Sequence, residues 1–278
     1  MLYFLCHKRM ATFTSMNSEQ PIGFFDSGVG GTSIWTEVHA LLPNEHTVYL
    51  ADSENAPYGN KTEEVIKALA IKNTERLIAM GCKAIVVACN TATTNAIAHL
   101  RSNYDLPIIG IEPAIKPAAL KTITNSIGIL ATKGTLASAL FHETSEAFTQ
   151  HITVTEVIGE GLVPLVEDGK ADSAETRALL KKYVAPMIAA KIDYLVLGCT
   201  HYAYLIPLLE KLLPSHIKII DSGAAVAMHT RVMLGDAGLL RKGTGQPILK
   251  FYTNTNTNTL EQLLASCSSK ISTVALGF

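Results

Sequence analysis

The sequence predicts an α/β fold, with two pseudo-symmetric, doubly wound α/β domains that face each other across an active-site cleft. From Pro21 onward, short β-rich runs alternate with helical patterns, which is typical of parallel sheets covered by helices. Two segments also resemble each other: "AIVVACNT", which contains Cys89, and "YLVLGCTH", which contains Cys199. A second near-match links Ile22–Gly28 ("IGFFDSG") to Ile217–Gly223 ("IKIIDSG"). Two similar lobes would explain both of these internal sequence similarities.

Strands are predicted from short apolar and β-branched runs at Ile22–Phe25, Thr47–Leu50, Ala84–Ala88, Ile108–Ile111, Ser126–Leu130, Ile152–Val157, Tyr194–Leu197, Ile217–Ile220 and Ile248–Tyr252. Helices alternate with them. In Thr62–Met80 the apolar residues recur at spacings of three and four, and Gly81 is placed to end the helix. A second helix is predicted over Ser173–Ala190, with Asp172 as its N-cap and Glu175 completing a variant of the capping box.

The predicted domain organisation has three parts. Residues 1–20 form an N-terminal extension, because their apolar stretch is short and precedes the basic residues, unlike a signal peptide. Residues 21–112 and 221–278 form a discontinuous α/β domain A, and residues 113–220 form α/β domain B. No low-complexity linker separates the two domains, and the segment "TNTNTNT" is expected to be a short loop.

Composition limits the classes of partner. Apolar residues make up 48% of the chain and charged residues 17%, which is typical of a protein with a large packed core. The formal charge of −1 gives no reason to expect nucleic acid or an anionic membrane as a partner, and no apolar run approaches the length of a membrane span. Five cysteines without a CxxC pair argue against a disulfide framework and a structural zinc site, so a reducing compartment is expected.

The cysteines of the two similar segments are the first candidates for chemistry. Cys89 and Cys199 each follow an apolar strand and precede a helix, where backbone N–H groups and the helix dipole are expected to lower the pKa of a thiol. A single strand-end cysteine usually only packs in the core. Two cysteines in matching contexts, each followed by polar residues, indicate a function.

Three kinds of chemistry could use these thiols. A disulfide oxidoreductase uses adjacent cysteines, and a cysteine hydrolase uses one cysteine with a histidine, which leaves the second thiol unexplained. An enzyme that inverts a carbon centre needs one acid/base group on each face of its substrate. Two thiols contributed by facing lobes meet that need directly.

Polar residues accompany the cysteines at neighbouring strand ends. Asp26 opens "DSGVGG", where a tight turn would account for the glycines but not for the carboxylate. Backbone N–H groups at Tyr58–Gly59 could hold a carboxylate, and Asn90–Thr91 and Thr200–His201 begin helices, where an anion is favoured. Few lysines or arginines occur in these motifs. A small carboxylate could therefore be bound here by neutral donors.

Two further side chains are weaker candidates. His201 follows Cys199 by two residues and could tune its thiol, whereas Glu167, in "GLVPLVEDG", would on its own be interpreted as a surface carboxylate. No phosphate-binding loop is present, and no cluster of histidine and acidic residues has convincing metal-ligand spacing. Neither a metal nor a cofactor is predicted.

The motifs "IGFFDSGVGG", "ADSENAPYG", "VVACNTAT", "GILATKGT", "GLVPLVEDG" and "LGCTHY" occur in an order that resembles the cofactor-independent glutamate racemases of the aspartate/glutamate racemase family. The resemblance implies that Cys89 and Cys199 are the acid/base residues on opposite faces of the glutamate α-carbon. Cys89 would act on the D-isomer and Cys199 on the L-isomer. Asp26 would assist Cys89, and His201 and Glu167 would assist on the Cys199 side.

The resemblance also implies a substrate site, formed by Asp26, Ser27, Tyr58, Gly59, Asn90, Thr91, Thr200 and His201. It further implies a bacterial, cytoplasmic isomerase that supplies D-glutamate for peptidoglycan, and a homodimer is expected because closed dimers are the commonest oligomers. Other possibilities are an aspartate or broad-specificity racemase, a single-thiol isomerase or decarboxylase, and a binding protein that retains the fold without turnover.

Overall fold

The structure is a computed structural model that describes residues 16–111, 113–267 and 269–278, so most of the predicted N-terminal extension lies outside the described residues. The strands are β1 Ile22–Asp26, β2 Thr47–Ala51, β3 Ala84–Val87, β4 Ile108–Gly110, β5 Ser126–Ala131, β6 Thr153–Ile158, β7 Tyr194–Gly198, β8 Lys218–Ile220, β9 Leu249–Thr253 and β10 Ile271–Ala275. Each of the predicted strands is present.

The strands form two parallel sheets. The first has the order β10-β9-β2-β1-β3-β4 and combines strands from both ends of the chain, whereas the second, β6-β5-β7-β8, is continuous in sequence. Each sheet with its helices is called a lobe below: the first lobe contains β1 to β4, β9 and β10, and the second contains β5 to β8. The division into domains at residues 112 and 220 stays a prediction.

Helices connect successive strands: α1 Thr32–Leu41, α2 Glu63–Ala79, α3 Asn90–Asn103, α4 Ile115–Lys121, α5 Lys133–Leu136, α6 Ala139–Thr149, α7 Leu162–Glu167, α8 Ala174–Ala189, α9 Ile206–Leu212, α10 Gly223–Asp236 and α11 Asn258–Leu264. Short 3₁₀ turns occupy Ser53–Asn55, Tyr58–Asn60 and Thr200–Leu205. Helix α10 packs against α1 and contributes to the core of the first lobe.

Both faces of each sheet are covered, as the predicted doubly wound fold requires. Successive residues of β1 point to opposite sides, so that Phe24 packs in one apolar cluster and Phe25 in another. In the second lobe, Ile129 and Leu130 divide between two clusters in the same way. Strands buried on both faces read as continuous apolar runs, which is why the sequence reveals them.

The two lobes have equivalent topology. The order β2-β1-β3-β4 in the first sheet matches β6-β5-β7-β8 in the second, so β3, which precedes Cys89, corresponds to β7, which precedes Cys199. The sequence similarity around Cys89 and Cys199 therefore marks equivalent strands. The similarity between Ile22–Gly28 and Ile217–Gly223 does not. Strand β1 is paired on both sides and its counterpart is β5, whereas β8 lies at a sheet edge. The expectation that both similarities reflect the two lobes was wrong for this pair.

Local predictions differ from the structure at two helix starts. Ser173, not Asp172, is the N-cap of α8, because its hydroxyl accepts a hydrogen bond from the Thr176 backbone N–H at 3.1 Å. The "TNTNTNT" segment is only partly a loop, since α11 already begins at Asn258. The predicted end of α2 is confirmed: Gly81 adopts the left-handed conformation, with φ of 79°.

Candidate active site

The carboxyl ends of the two sheets face each other around a cavity of about 10 Å³. The residues that line this cavity are Ser27, Pro57, Tyr58, Gly59, Cys89, Asn90, Thr91, Thr132, Val163, Cys199, Thr200 and His201. All but two of the site residues predicted from the sequence belong to this set. The other two, Asp26 and Glu167, contact residues that line it.

Cys89 belongs to a hydrogen-bonded group within the first lobe. Asp26, fully buried at the end of β1, accepts hydrogen bonds from the backbone N–H of Ser27 at 2.7 Å and of Gly31 at 2.6 Å. The Cys89 thiol lies 3.8 Å from the Ser27 hydroxyl and accepts a hydrogen bond from the Ala92 backbone N–H at 3.4 Å. The sulfur therefore caps α3, as the predicted strand-end position requires.

Burial reverses the expected acidity of Cys89. Desolvation, with the nearby Asp26 carboxylate as a second cause, raises the pKa of the Cys89 thiol well above its ordinary value, although the Ala92 N–H opposes the shift. The helix-end N–H lowers this pKa as predicted, but burial outweighs it, so the expected net direction of the shift was wrong. Burial also raises the pKa of Asp26, and the neighbouring His201 lowers it to a smaller extent.

Cys199 belongs to a different kind of group. Its sulfur lies 3.8 Å from Nδ1 of His201, and Nε2 of the same ring lies 2.5 Å from Oε1 of Glu167. Burial lowers the pKa of His201, but the hydrogen bonds to Cys199 and Glu167, with the charges of Glu167 and Asp26, outweigh it and raise the pKa well above its ordinary value. The His201 ring thus lies between the second thiol and a carboxylate.

Glu167 is not a free surface carboxylate, because it reaches across to the first lobe. Its Oε1 accepts a hydrogen bond from the Val29 backbone N–H at 2.7 Å, and its Oε2 accepts one from the Ser53 hydroxyl at 2.8 Å. Its backbone carbonyl accepts a third, from the Thr259 hydroxyl at 2.7 Å. Three hydrogen bonds between the lobes therefore involve this one residue.

The glycines after β1 make room for the second lobe. A Cβ atom at Gly28 would lie 1.9 Å from Oε1 of Glu167, and one at Gly30 would lie 2.3 Å from Nδ1 of His201. Neither glycine has the positive φ that would require glycine for backbone reasons. The turn geometry expected from the sequence therefore does not explain these glycines. Glycine is required here because Glu167 and His201 approach the backbone closely.

Several groups in the cavity could bind a small carboxylate. Both polar side-chain atoms of Asn90 are buried without a hydrogen-bond partner among the described residues. The Tyr58 hydroxyl is held by Asp52 and, at 3.0 Å, by Asn73, so the ring is fixed while the Tyr58–Gly59 turn faces the cavity. No lysine or arginine lines the cavity within the part of the chain that the structure describes.

Two hydroxyl-bearing residues at the site, Thr132 and Ser53, were not predicted from the sequence. Thr132 follows β5 and lies 2.8 Å from the Thr91 hydroxyl, so it joins the lobes beside Cys89. Its position after a strand, like that of Ser27 after β1, could have revealed it. Ser53 gave no such signal, because its contact with Glu167 depends on how the lobes approach each other.

Across the described residues, no group of three or more histidine, cysteine and acidic side chains could hold a metal ion. Within the same ranges, no helix is both long and apolar enough to cross a membrane.

Comparison with known proteins identifies the family. The model of the family described as Asp/Glu/Hydantoin racemase matches residues 32–230. The glutamate racemase of Ectopseudomonas mendocina is 48% identical over 224 residues, which are 80% of this chain and 85% of that protein.

Solved structures of glutamate racemases are also similar to this chain. The glutamate racemase of Escherichia coli, in complex with L-glutamate and the activator UDP-MurNAc-ala, has a TM-score of 0.79 at 31% identity, covering 93% of this chain and 100% of that one. The glutamate racemase of Francisella tularensis, in complex with D-glutamate, has a TM-score of 0.80 at 26% identity, covering 94% and 98%. The chain belongs to the Asp/Glu/Hydantoin racemase family.

Proposed function

We propose that the protein is a glutamate racemase, which interconverts L- and D-glutamate by moving the α-proton between two cysteines without a cofactor. One observation carries the proposal: two thiols at the ends of corresponding strands, one in each lobe, line the same cavity. The glutamate racemases to which the chain is similar, including those bound to L- and D-glutamate, support glutamate as the substrate.

The substrate is held by neutral donors. The hydroxyls of Thr91 and Thr200, the Asn90 amide and the Tyr58–Gly59 turn bind the two carboxylates, with Asp26 and Ser27 near the amino group. Because these donors carry no positive charge, a thiolate beside them is not locked into an ion pair, and it remains available as a base.

The proton transfer proceeds in two steps, a deprotonation of the α-carbon and a reprotonation from its opposite face. The Cys199 thiolate removes the α-proton of L-glutamate, and the electron pair left on the α-carbon is delocalised into the α-carboxylate. The Cys89 thiol then delivers its own proton to the opposite face, which gives D-glutamate and a Cys89 thiolate. The high pKa of Cys89 in the closed cleft suits a proton donor. The reverse reaction begins from the Cys89 thiolate.

In the cell, we place this activity in the bacterial cytoplasm, where D-glutamate would enter peptidoglycan synthesis, and we propose a homodimer as the working assembly.

The proposal is tested by incubating the protein separately with L- and D-glutamate in D₂O. Both incubations should converge to the same mixture of isomers, with deuterium entering at the α-carbon. Aspartate, tested in parallel, should turn over much more slowly. The absence of deuterium exchange with either glutamate isomer would rule out the proposed activity.

A further inference from the structure

The Cys199 half of the site includes a hydroxyl from the other lobe. We propose that Ser53 is a positioning residue: its hydroxyl holds the Glu167 carboxylate, which holds His201 against Cys199, so this acid/base half is assembled only when the lobes close. The inference rests on the proposed racemase activity and concerns how that activity is organised.

The contacts form one continuous chain. Ser53 Oγ donates to Oε2 of Glu167 at 2.8 Å, Oε1 of Glu167 lies 2.5 Å from Nε2 of His201, and Nδ1 of His201 lies 3.8 Å from Cys199 Sγ. Oε1 is shared with the Val29 backbone N–H, whereas Ser53 is the only hydrogen-bond partner of Oε2 among the described residues. Removing the hydroxyl frees the carboxylate to rotate away from the imidazole.

The first lobe presents Ser53 rigidly. It begins the 3₁₀ turn Ser53–Asn55, directly after Asp52. Asp52 is buried and is held through one carboxylate oxygen by Asn55 at 2.8 Å and by Asn254 at 2.6 Å. This network fixes the turn within the first lobe, so the hydroxyl is in place before Glu167 arrives from the second lobe.

The Cys89 half depends less on the other lobe. Asp26 is held by the backbone N–H groups of Ser27 and Gly31, which belong to its own lobe, and it also accepts a hydrogen bond from the Thr200 hydroxyl of the second lobe at 3.2 Å. Opening the cleft would therefore separate Glu167 from Ser53 and Val29 while leaving the two backbone contacts of Asp26 intact. A defect at Ser53 should consequently affect the Cys199 thiol more than the Cys89 thiol.

Racemisation cannot reveal such an asymmetry. The equilibrium constant between enantiomers is unity, so kcat/KM must change equally in both directions. The two α-epimers of 3-chloroglutamate avoid this constraint. One thiolate removes the α-proton, the resulting electron pair forms the Cα–Cβ double bond, and chloride leaves from Cβ. This elimination is irreversible, so each epimer measures a single thiolate.

The variants are then compared by chloride release. Cys199→Ser first identifies the epimer that depends on Cys199. Ser53→Ala should slow elimination from that epimer by about tenfold, the scale of losing one hydrogen bond to a charged group, and slow the other epimer by less than about twofold. Ser53→Thr, which keeps the hydroxyl, should restore the rate.

Thr259→Ala is the matched control. It removes another hydrogen bond between the lobes to Glu167, but at the backbone carbonyl, so its effect should be equal for both epimers. If Ser53→Ala also slows both epimers equally, or slows neither, Ser53 does not position the Cys199 half. If the wild-type protein releases chloride from neither epimer and exchanges no α-proton of glutamate, the proposed function itself is wrong, and the role of Ser53 fails with it.

Discussion

The two halves of the site share a backbone plan but differ in how each thiol obtains its carboxylate. Strand register pairs Phe25 with Val87 and Leu130 with Leu197, so the second-lobe counterpart of Asp26 is Ala131. Cys89 thus has a carboxylate on the adjacent strand of its own sheet. Cys199 has none there and uses His201 and Glu167 instead. The equivalent folds place the two thiols in equivalent positions. The unequal side chains leave the Cys89 half held mainly within its own lobe and make the Cys199 half dependent on closure.

Removing either thiol tests whether both halves are required. Cys89→Ser and Cys199→Ser should each lower racemisation about a thousandfold, or about 4 kcal/mol of transition-state stabilisation, because a serine hydroxyl is too weak an acid to exchange the α-proton. The rate of isomer conversion measures the effect. Cys267→Ser, outside the cavity, is the control and should remain close to wild type. A loss below tenfold in either catalytic variant would show that its cysteine is merely structural.

Displacing the Glu167 carboxylate from the first lobe should lower turnover. Gly28→Ala places a methyl group 1.9 Å from the present position of Glu167 Oε1, so we expect a loss of about a hundredfold in kcat, the effect of displacing a catalytic group by about 1 Å. The melting temperature should change little because each lobe keeps its own core.

Gly235→Ala is the control for this variant. Its Cβ would meet no atom closer than 3.7 Å, so it should leave kcat unchanged. Full activity of Gly28→Ala would show that the close approach of Glu167 is not needed for turnover.

Substituting the carboxylates of Glu167 and Asp26 tests the difference between the two halves directly. Glu167→Gln should slow elimination from the 3-chloroglutamate epimer that depends on Cys199, and Asp26→Asn should mainly slow the other, each by about tenfold. The measurement is the ratio of the chloride-release rates of the two epimers, taken separately for each variant. The same ratio in both variants would contradict the division of the site into two halves.

The smallest effect is a pH dependence of stability. The pKa of His201 is raised above its ordinary value of 6.5, so its stabilising contribution is complete below pH 6.5 and is lost as the pH rises through the higher folded-state value. Glu167→Gln removes one cause of that shift. Its melting temperature should therefore fall less steeply above pH 6.5 than that of the wild type. Asp26, another cause of the shift, is unchanged in the variant. Parallel curves would mean that Glu167 does not hold the proton on His201.

Most of the fold could be predicted because buried parallel strands are continuous apolar runs. The exception is β10, Ile271–Ala275, an edge strand with polar and exposed residues that has no such run. The thiols could be predicted because the carboxyl ends of parallel strands meet at one edge of a sheet. The Ser53–Glu167 contact could not, since it depends on how closely the two lobes approach. The raised pKa of Cys89 could not either, since burial is its largest cause and outweighs the helix end.

The size of the closed cavity has a kinetic consequence. A volume of about 10 Å³ is about what one water molecule requires, so glutamate does not fit between the lobes in this arrangement and they must move apart to admit it. The cleft is then a gate: association proceeds only during the fraction of time that it stands open. Because each product molecule leaves through the same opening, the rate at which the lobes part is an upper limit on the turnover number, however fast the proton moves.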